Sequence, residues 1–180
     1  MLPPALASRI DQAIDEAFLA DLCQRLIQTP TVNPYSGDAN PSGEGEGQKL
    51  IAAEFAALGA AIEQFLCDDG AMDKQGVLAP KDRINEDRPN VVATFDFGGD
   101  GPTLLLDAHM DTVAVDTYDG DPFSGELRDG FLHGRGASDD KASMTAMVGA
   151  ARVLAQSGLP LRGKLVCCSV VDEECNGAGR

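Results

Sequence analysis

The sequence predicts an α/β fold in which helices flank a mixed sheet in three layers. Short apolar runs alternate along the chain with segments in which apolar residues recur at helical spacing. One run, Leu165–Val171, is almost unbroken, as in a strand that is buried on both faces. Acidic residues directly follow two of the runs, where the strands of an α/β sheet deliver side chains to a site.

The N-terminal third is predicted to contain two helices and a strand. Apolar residues at helical spacing predict the first helix: Ile10, Ile14, Phe18, Leu22 and Leu26. Thr29-Pro30 ends that pattern, and a loop rich in Pro, Gly, Ser and Asn extends from Thr31 to Gly47. Ser42 is the predicted cap of a second helix, which ends at Gly59. Ala61–Leu66 is a predicted short strand.

The middle of the chain is predicted to be mainly β-structure. The segment Cys67–Arg88 is polar, charged and glycine-containing, and we expect a surface excursion without an assignable function. Asn90–Phe97 and Thr103–Asp107 are predicted strands, joined by a hairpin-like GGDG link. Ser124–His133 carries Asp129-Gly130 at its centre, which is typical of a hairpin turn.

A third helix and a buried strand are predicted near the C-terminus. Apolar residues at positions i, i+3, i+4, i+7 and i+10 form the apolar side of an amphipathic helix: Met144, Met147, Val148, Ala151 and Leu154. Gly158 and Pro160 terminate this helix, and the apolar run Leu165–Val171 follows.

Composition limits the classes of partner. A chain of 180 residues with 43% hydrophobic and 24% charged residues suits one domain with a core. The net charge of −15 argues against nucleic acid and anionic membranes, since both bind a basic face. The first residues, MLPPALASRI, lack a basic region and a long apolar run, so we expect no signal peptide, and no apolar run approaches the roughly 20 residues that span a bilayer. The odd count of five cysteines, without CxxC pairs, argues against a disulfide framework and favours the cytoplasm.

Three blocks carry residues suited to metal chemistry: LLLDAHMDTV (104–113), GRGASDDK (134–141) and VVDEE (170–174). In the first block, the imidazole of His109 suits zinc, and the nearby Asp111 could hold its second N–H. A histidine that is simply hydrogen-bonded at a strand end is the alternative. In the second block, Asp139 and Asp140 stand at a helix start, where capping explains one of them without any metal.

The third block places Asp172, Glu173 and Glu174 directly after the predicted buried strand. Mutual repulsion among three acids calls for a nearby cation or a raised pKa. A solvated turn is the alternative. The three blocks together favour the two-metal site of a hydrolase, and His109 beside the acids argues for zinc over a magnesium or single-metal carboxylate site.

The sequence resembles the zinc-dependent aminoacylase and carboxypeptidase superfamily in three stretches: DAHMDTV, PFSGELRDGFLHGRGASDDK and VVDEE. This superfamily includes acetylornithine deacetylase, succinyl-diaminopimelate desuccinylase and carboxypeptidase G. The resemblance extends from PSGEGEG through RPNVVATF to the C-terminus. It implies a zinc-exopeptidase-like fold and hydrolysis of the amide bond of an N-acyl amino acid or peptide. Two zinc ions are implied as cofactors, and cobalt or manganese would suit the same ligands.

The resemblance also implies a role for each site residue. His109 corresponds to a ligand of one zinc ion and Asp111 to the carboxylate that orients it. Asp139 corresponds to the ligand that bridges both ions. Glu173 corresponds to the general base, and Glu174 to a ligand of the second zinc ion.

Several departures from the superfamily pattern shape the expectations. Ala142 replaces the usual glycine, and His133 replaces an aromatic residue, so that we interpret His133 as a packing residue. A further acidic ligand, a final histidine and the lid or dimerisation domain have no counterpart. We therefore expect residues 1–180 to be the N-terminal portion of a catalytic domain, incomplete at its C-terminus.

Such a portion should bind metal weakly and turn over little substrate, because each zinc ion would keep only two protein ligands. It should also expose a sheet edge, because the later strands of the sheet are missing. The alternative is a non-catalytic α/β module that forms homo-oligomers through that edge.

Overall fold

Helices and strands alternate in the computed structural model, which describes residues 3–68, 70, 74 and 86–175. Helices among these residues are α1 (Pro4–Ala13), α2 (Glu16–Gln28), α3 (Gly45–Ala57) and α4 (Lys141–Gln156). Strands among them are β1 (Ala61–Phe65), β2 (Asn90–Asp96), β3 (Thr103–His109), β4 (Glu126–Arg128), β5 (Phe131–His133) and β6 (Lys164–Val170). Most of Cys67–Arg88, the predicted surface excursion, falls outside the described residues.

The central sheet has the strand order β1-β2-β6-β3. β1 pairs with β2 and β2 with β6 in antiparallel fashion, whereas β3 pairs with β6 in parallel. The predicted α/β class with a mixed sheet is therefore confirmed. The parallel pair matters most for function, because parallel neighbours end at the same edge of the sheet.

One predicted hairpin is wrong and the other is confirmed. β2 and β3 do not pair with each other, since β6 lies between them and bonds to both. The apolar β6 takes this central position because it can satisfy its backbone on both sides there. β4 and β5 do form a two-stranded hairpin. Its turn residues Asp129 and Gly130 have φ values of 53° and 82°, as a type I′ turn requires.

The core lies between α2, α3, α4 and one face of the central sheet. Leu165 and Cys167 of β6 point into this core, whereas Val166 and Cys168 on the opposite face are only half-buried. The expectation that this strand is buried on both faces is therefore correct for one face only. Among the described residues, the helices that reach the core all lie on that face. The described residues do not include a helical layer on the opposite face of the sheet.

The predicted first helix is interrupted at Ile14 and Asp15, which separate α1 from α2. The Asp15 carboxylate accepts a hydrogen bond from the Phe18 amide at 3.0 Å and so caps α2. An aspartate that competes for backbone amides in this way starts a new helix in spite of unbroken apolar spacing. None of the helices described here is long and apolar enough to cross a bilayer.

The predicted cap of the second helix is also wrong. Ser42 Oγ accepts a hydrogen bond from the Val32 amide at 2.8 Å, within the loop. Glu44 precedes α3 instead, and its side chain is buried without capping the helix. Ser42 therefore stabilises the preceding loop, and the Glu44 side chain contacts Arg88.

Candidate metal centre

The three acidic blocks meet at one edge of the central sheet. β3 and β6 are parallel neighbours, with His109 opposite Val170, so their carboxyl ends lie side by side. Asp139 and Asp140 stand directly before α4, joined by a cis peptide bond. Asp172–Glu174 follows β6 at once. The sheet topology thus brings together residues that are more than sixty positions apart in the chain.

His109, Asp139 and Glu174 form a candidate ligand group. Their ligand atoms all lie within 4.8 Å of one another. His109 Nε2 is 2.9 Å from Asp139 Oδ1 and 3.9 Å from Glu173 Oε2. An imidazole nitrogen with two carboxylates is a donor set that suits zinc, cobalt or manganese. The residues present therefore fit a metal ion of the predicted kind.

The group is buried on its protein side and open on the other. His109 is buried, whereas the side chain of Asp139 is 76% exposed. A cavity of about 320 Å³ lies there, and its lining includes Arg135, Asp139 and Glu174. The Arg135 guanidinium stacks over the ring of Tyr118, 5.4 Å from its centroid. A small molecule could reach the ligand group from this side.

The His109 ring lies against Asp111 through its Nδ1 atom. His109 Nδ1 lies 3.1 Å from the Asp111 carbonyl oxygen and 3.3 Å from Asp111 Oδ1. A proton on Nδ1 would satisfy these acceptors and leave Nε2 free as a ligand. Burial alone would lower the pKa of His109, but the hydrogen bonds with Asp111 and Asp139 raise it to about 9. In the absence of metal, the imidazole is therefore protonated at neutral pH.

The Asp111 carboxylate is completely buried and also holds the third block. It accepts hydrogen bonds from the amides of Glu173 and Glu174, both at 3.0 Å. It accepts another from Asn33 Nδ2 at 2.7 Å. Burial alone would raise the pKa of Asp111, but hydrogen bonds from His109, Asn33 and the two amides hold it below its usual value. Asp111 thus links the histidine to both glutamates.

Asp140 does not have the capping role that would explain it without a metal. It occupies the residue before α4, but its side chain makes no capping hydrogen bond. Its Oδ2 instead accepts a hydrogen bond from the backbone amide of His109 at 3.3 Å. The simple capping interpretation is therefore wrong for Asp140, because its carboxylate is directed toward the end of β3.

The acids of the third block have both a cation and raised pKa values nearby. Asp172 is buried and forms an ion pair with Arg88, 2.8 Å between Oδ1 and Nη2. Burial raises the pKa of Asp172 in spite of Arg88. Burial and the neighbouring Asp139 raise the pKa of Glu174. The solvated-turn alternative is wrong for Asp172, which lies inside the protein.

Sequence reasoning missed Asn33, Glu44 and Arg88. Arg88 is only 4% exposed and also lies 3.1 Å from Glu44 Oε2 through its Nε. Burial raises the pKa of Glu44 to about 7, although Arg88 opposes this effect. Glu44 and Arg88 lie in PSGEGEG and RPNVVATF, two stretches that carry the family resemblance, but nothing in them marks these residues as buried, since polar and charged residues in loops are usually exposed. Their burial follows from tertiary contacts alone.

His133 lies at the end of β5, and its Nδ1 is 3.4 Å from Arg128 Nη2 within the hairpin. It is not a member of the ligand group found among the described residues. The structure therefore places this histidine in a local polar contact at the end of the hairpin.

A solved structure shares this fold. The di-peptidase Dug1p from Saccharomyces cerevisiae superposes with a TM-score of 0.73 at 22% identity, and the match covers 93% of this chain and 35% of Dug1p. At that identity the likeness concerns the fold alone, and it supports the predicted α/β fold class. Residues 105–180 also match the model of peptidase family M20/M25/M40.

Curated relatives agree with the family match. A succinyl-diaminopimelate desuccinylase from Xanthobacter autotrophicus is 32% identical over 156 residues, which are 85% of this chain and 34% of the relative. Another from Gluconacetobacter diazotrophicus is 40% identical over 155 residues, again 85% of this chain and 34% of the relative. The chain is therefore related to the M20/M25/M40 peptidases, as its resemblance predicted. It spans about a third of the length of these relatives.

Proposed function

We propose that this chain belongs to the catalytic domain of a metal-dependent hydrolase that cleaves amide bonds in N-acyl amino acids or small peptides. One observation carries the proposal: the ligand atoms of His109, Asp139 and Glu174 lie within 4.8 Å of one another at the ends of two parallel strands. The family match and the desuccinylase relatives support the same reaction class. The proposal concerns the whole protein of which such a domain is a part.

The proposed cofactor is a pair of zinc ions, for which cobalt or manganese could substitute. His109 would bind one ion, Glu174 the other, and Asp139 would bridge both. When bound, the ions would lower the pKa of a water molecule and polarise the scissile carbonyl group. Asp111 would keep the His109 ring in the tautomer that exposes Nε2.

Glu173 is the proposed general base. Its side chain is 29% exposed and lies 3.9 Å from His109 Nε2, beside the candidate ligands. From there it would accept a proton from the attacking water and pass it to the leaving amine. The hydrogen bond from its amide to Asp111 fixes the backbone from which this carboxylate acts.

The proposed substrate is small and carries a carboxylate. The cavity beside Asp139 and Glu174 has a volume of about 320 Å³, which suits a small molecule. Arg135 contributes a positive charge to its lining and would attract the carboxylate of an amino acid or peptide. With a net charge of −15, the protein is not proposed to bind nucleic acid or anionic membranes.

We further propose that residues 1–180 correspond to the N-terminal portion of the catalytic domain, and the alignment with about a third of each relative supports a part of a longer protein. The cytoplasm is the proposed location, since all five cysteines are free thiols in the structure.

A non-catalytic module is the second candidate. It is favoured by the edge strand β3, on which Leu104 and Leu105 are 56% and 58% exposed. A strand edge with exposed apolar side chains can pair with a second copy of the chain. In this case the ligand group would be an incomplete site without turnover.

Metal analysis combined with one substitution tests the two candidates. Elemental analysis of the purified chain should give about two zinc ions per chain if the site is complete enough to bind both ions. Glu173→Gln should then retain the metal and lose about 100-fold or more of the hydrolysis of N-acyl amino acids. Glu126→Gln, an exposed glutamate of the hairpin, is the matched control. A chain that holds no metal and shows no hydrolysis would favour the non-catalytic module for residues 1–180, and the same assays on a longer protein that contains these residues would then test the proposal for the complete catalytic domain.

A further inference from the structure

The segment that carries the two glutamates is held almost entirely by side chains. Val171 N donates to Asn90 Oδ1 at 3.0 Å, and Asp172 N donates to Glu44 Oε1 at 3.2 Å. The amides of the next two residues donate to the two oxygens of Asp111. Four consecutive amides therefore have side-chain acceptors, so the position of this segment depends on those side chains.

The same segment contains a backbone conformation that needs support. Asp172 has a φ of 62°, in the left-handed region that residues other than glycine rarely adopt. A buried residue in this region persists only when surrounding contacts hold it there. The contacts of Asp172 therefore matter for the direction in which the following glutamates leave the sheet.

Among the described ion pairs, Arg88 is the cation that lies against Glu44 and Asp172, whereas His109 lies against Asp111. It contacts two carboxylates at once, Glu44 through Nε at 3.1 Å and Asp172 through Nη2 at 2.8 Å. Asp111 is buried in the same cluster, connected to Asp172 through the side-chain amide of Asn33. Without Arg88, Glu44 and Asp172 would be buried close to each other and to Asp111 without their counter-charge.

We infer that Arg88 is a positioning residue that holds Glu173 and Glu174 at the metal centre. It acts through Asp172 directly, and through Glu44, which accepts the Asp172 amide. Asp172 continues the connection through Asn33 to Asp111, which binds the amides of both glutamates. This inference rests on the proposed function for its consequence, metal affinity, but its structural part concerns the backbone of residues 172–174 alone.

Arg88→Met tests the inference because it removes the charge and keeps much of the side-chain volume. Arg152→Met is the matched control, since it removes one positive charge of an ion pair with Asp15, outside the cluster. Hydrogen exchange of the amides of Asp172, Glu173 and Glu174 reports the position of the segment, with the amides of α4 as internal reference. Titration with Co²⁺, followed by its visible absorption, reports the ligand group.

Arg88→Met should lose exchange protection at residues 172–174 while α4 stays protected, and Co²⁺ affinity should fall about tenfold or more. Arg88→Lys keeps the charge but not the fork that reaches two carboxylates, so it should recover only part of both quantities. If Arg88→Met fails to fold, Arg88→Lys alone must show the local loss of protection.

Two further outcomes separate this inference from the proposed function. Protection and affinity equal to those of Arg152→Met would overturn the positioning role. If the unsubstituted chain binds no Co²⁺ but Arg88→Met still exposes the amides of residues 172–174, the positioning role stands and the proposed metal site fails.

Discussion

Asn33 donates its side-chain amide to Asp111 Oδ2 at 2.7 Å and so lies between two buried carboxylates. The same Nδ2 atom is 3.0 Å from Asp172 Oδ1. A neutral donor at this position lowers the repulsion between the acids without adding charge. Asn33 therefore connects the strand end that carries His109 with the strand end that carries the glutamates.

Asn33→Asp should destabilise the protein strongly. The substitution replaces the shared donor by an acceptor and adds a further carboxylate to the cluster, at an expected cost of about 3 kcal/mol in the free energy of unfolding. Urea denaturation at neutral pH measures this change. Asn40→Asp makes the same chemical change at an exposed loop position and should be nearly neutral. Equal effects of the two substitutions would contradict the bridging role of Asn33.

Metal affinity should increase with pH up to about 9. The pKa of His109 is raised to about 9 by its hydrogen bonds with Asp111 and Asp139, which outweigh the effect of burial. Below that pH the imidazole is protonated and a metal ion must displace the proton, so affinity should fall about tenfold for each unit of pH. Co²⁺ titrations at several pH values test this, and His109→Asn should abolish binding. Affinity that does not vary with pH would contradict proton displacement at His109.

Local patterns in the sequence predict much of the fold. The spacing of Met144, Met147 and Val148 predicts α4, and Asp129-Gly130 predicts the turn between β4 and β5, because both depend on near neighbours in sequence. The insertion of β6 between β2 and β3 could not be predicted in this way. It depends on which strands pair over a long sequence separation, and this is decided by burial of the whole sheet.

The candidate site also contains residues that the sequence could predict and residues that it could not. Its ligand group could be proposed because His109, Asp139 and Glu174 each stand in a recognisable block, at the end of a strand or the start of a helix. The supporting charges could not be assigned in this way: the resemblance includes RPNVVATF, which begins with Arg88, but it does not reveal that Arg88 is buried against Asp172. A buried guanidinium is unfavourable by itself, and only the partner carboxylates make it stable there.

Lys141→Met should change how stability depends on pH. Lys141 is completely buried, and its Nζ donates to the Thr29 carbonyl oxygen at 2.9 Å. Burial lowers its pKa from 10.5 to about 7. Between these values the unfolded chain binds more protons than the folded protein, so this group makes stability rise with pH. The rise is worth about 1 kcal/mol per unit of pH and should be absent in Lys141→Met.

Urea denaturation of both proteins at about pH 7 and about pH 9 measures this difference. Other groups that titrate in this range are present in both proteins, so the difference between the two reports Lys141 together with its charge interaction with Cys23. Lys141→Met should be the more stable protein at the lower pH. The difference in the free energy of unfolding between the two proteins should become smaller as the pH rises. A difference that does not change with pH would contradict a depressed pKa for this lysine.

The second candidate function requires self-association through β3, and Leu105→Lys should weaken such an association. Leu105 lies on the edge strand β3 and is 58% exposed. An exposed apolar edge favours pairing with another strand, and a lysine placed there opposes it by charge repulsion and hydration. Sedimentation velocity over a range of concentrations should show a shift toward the monomer. Leu127→Lys is the matched control, since Leu127 is 61% exposed but belongs to the separate β4–β5 hairpin. A similar shift for both substitutions would indicate a general effect of charge, and it would argue against association through β3.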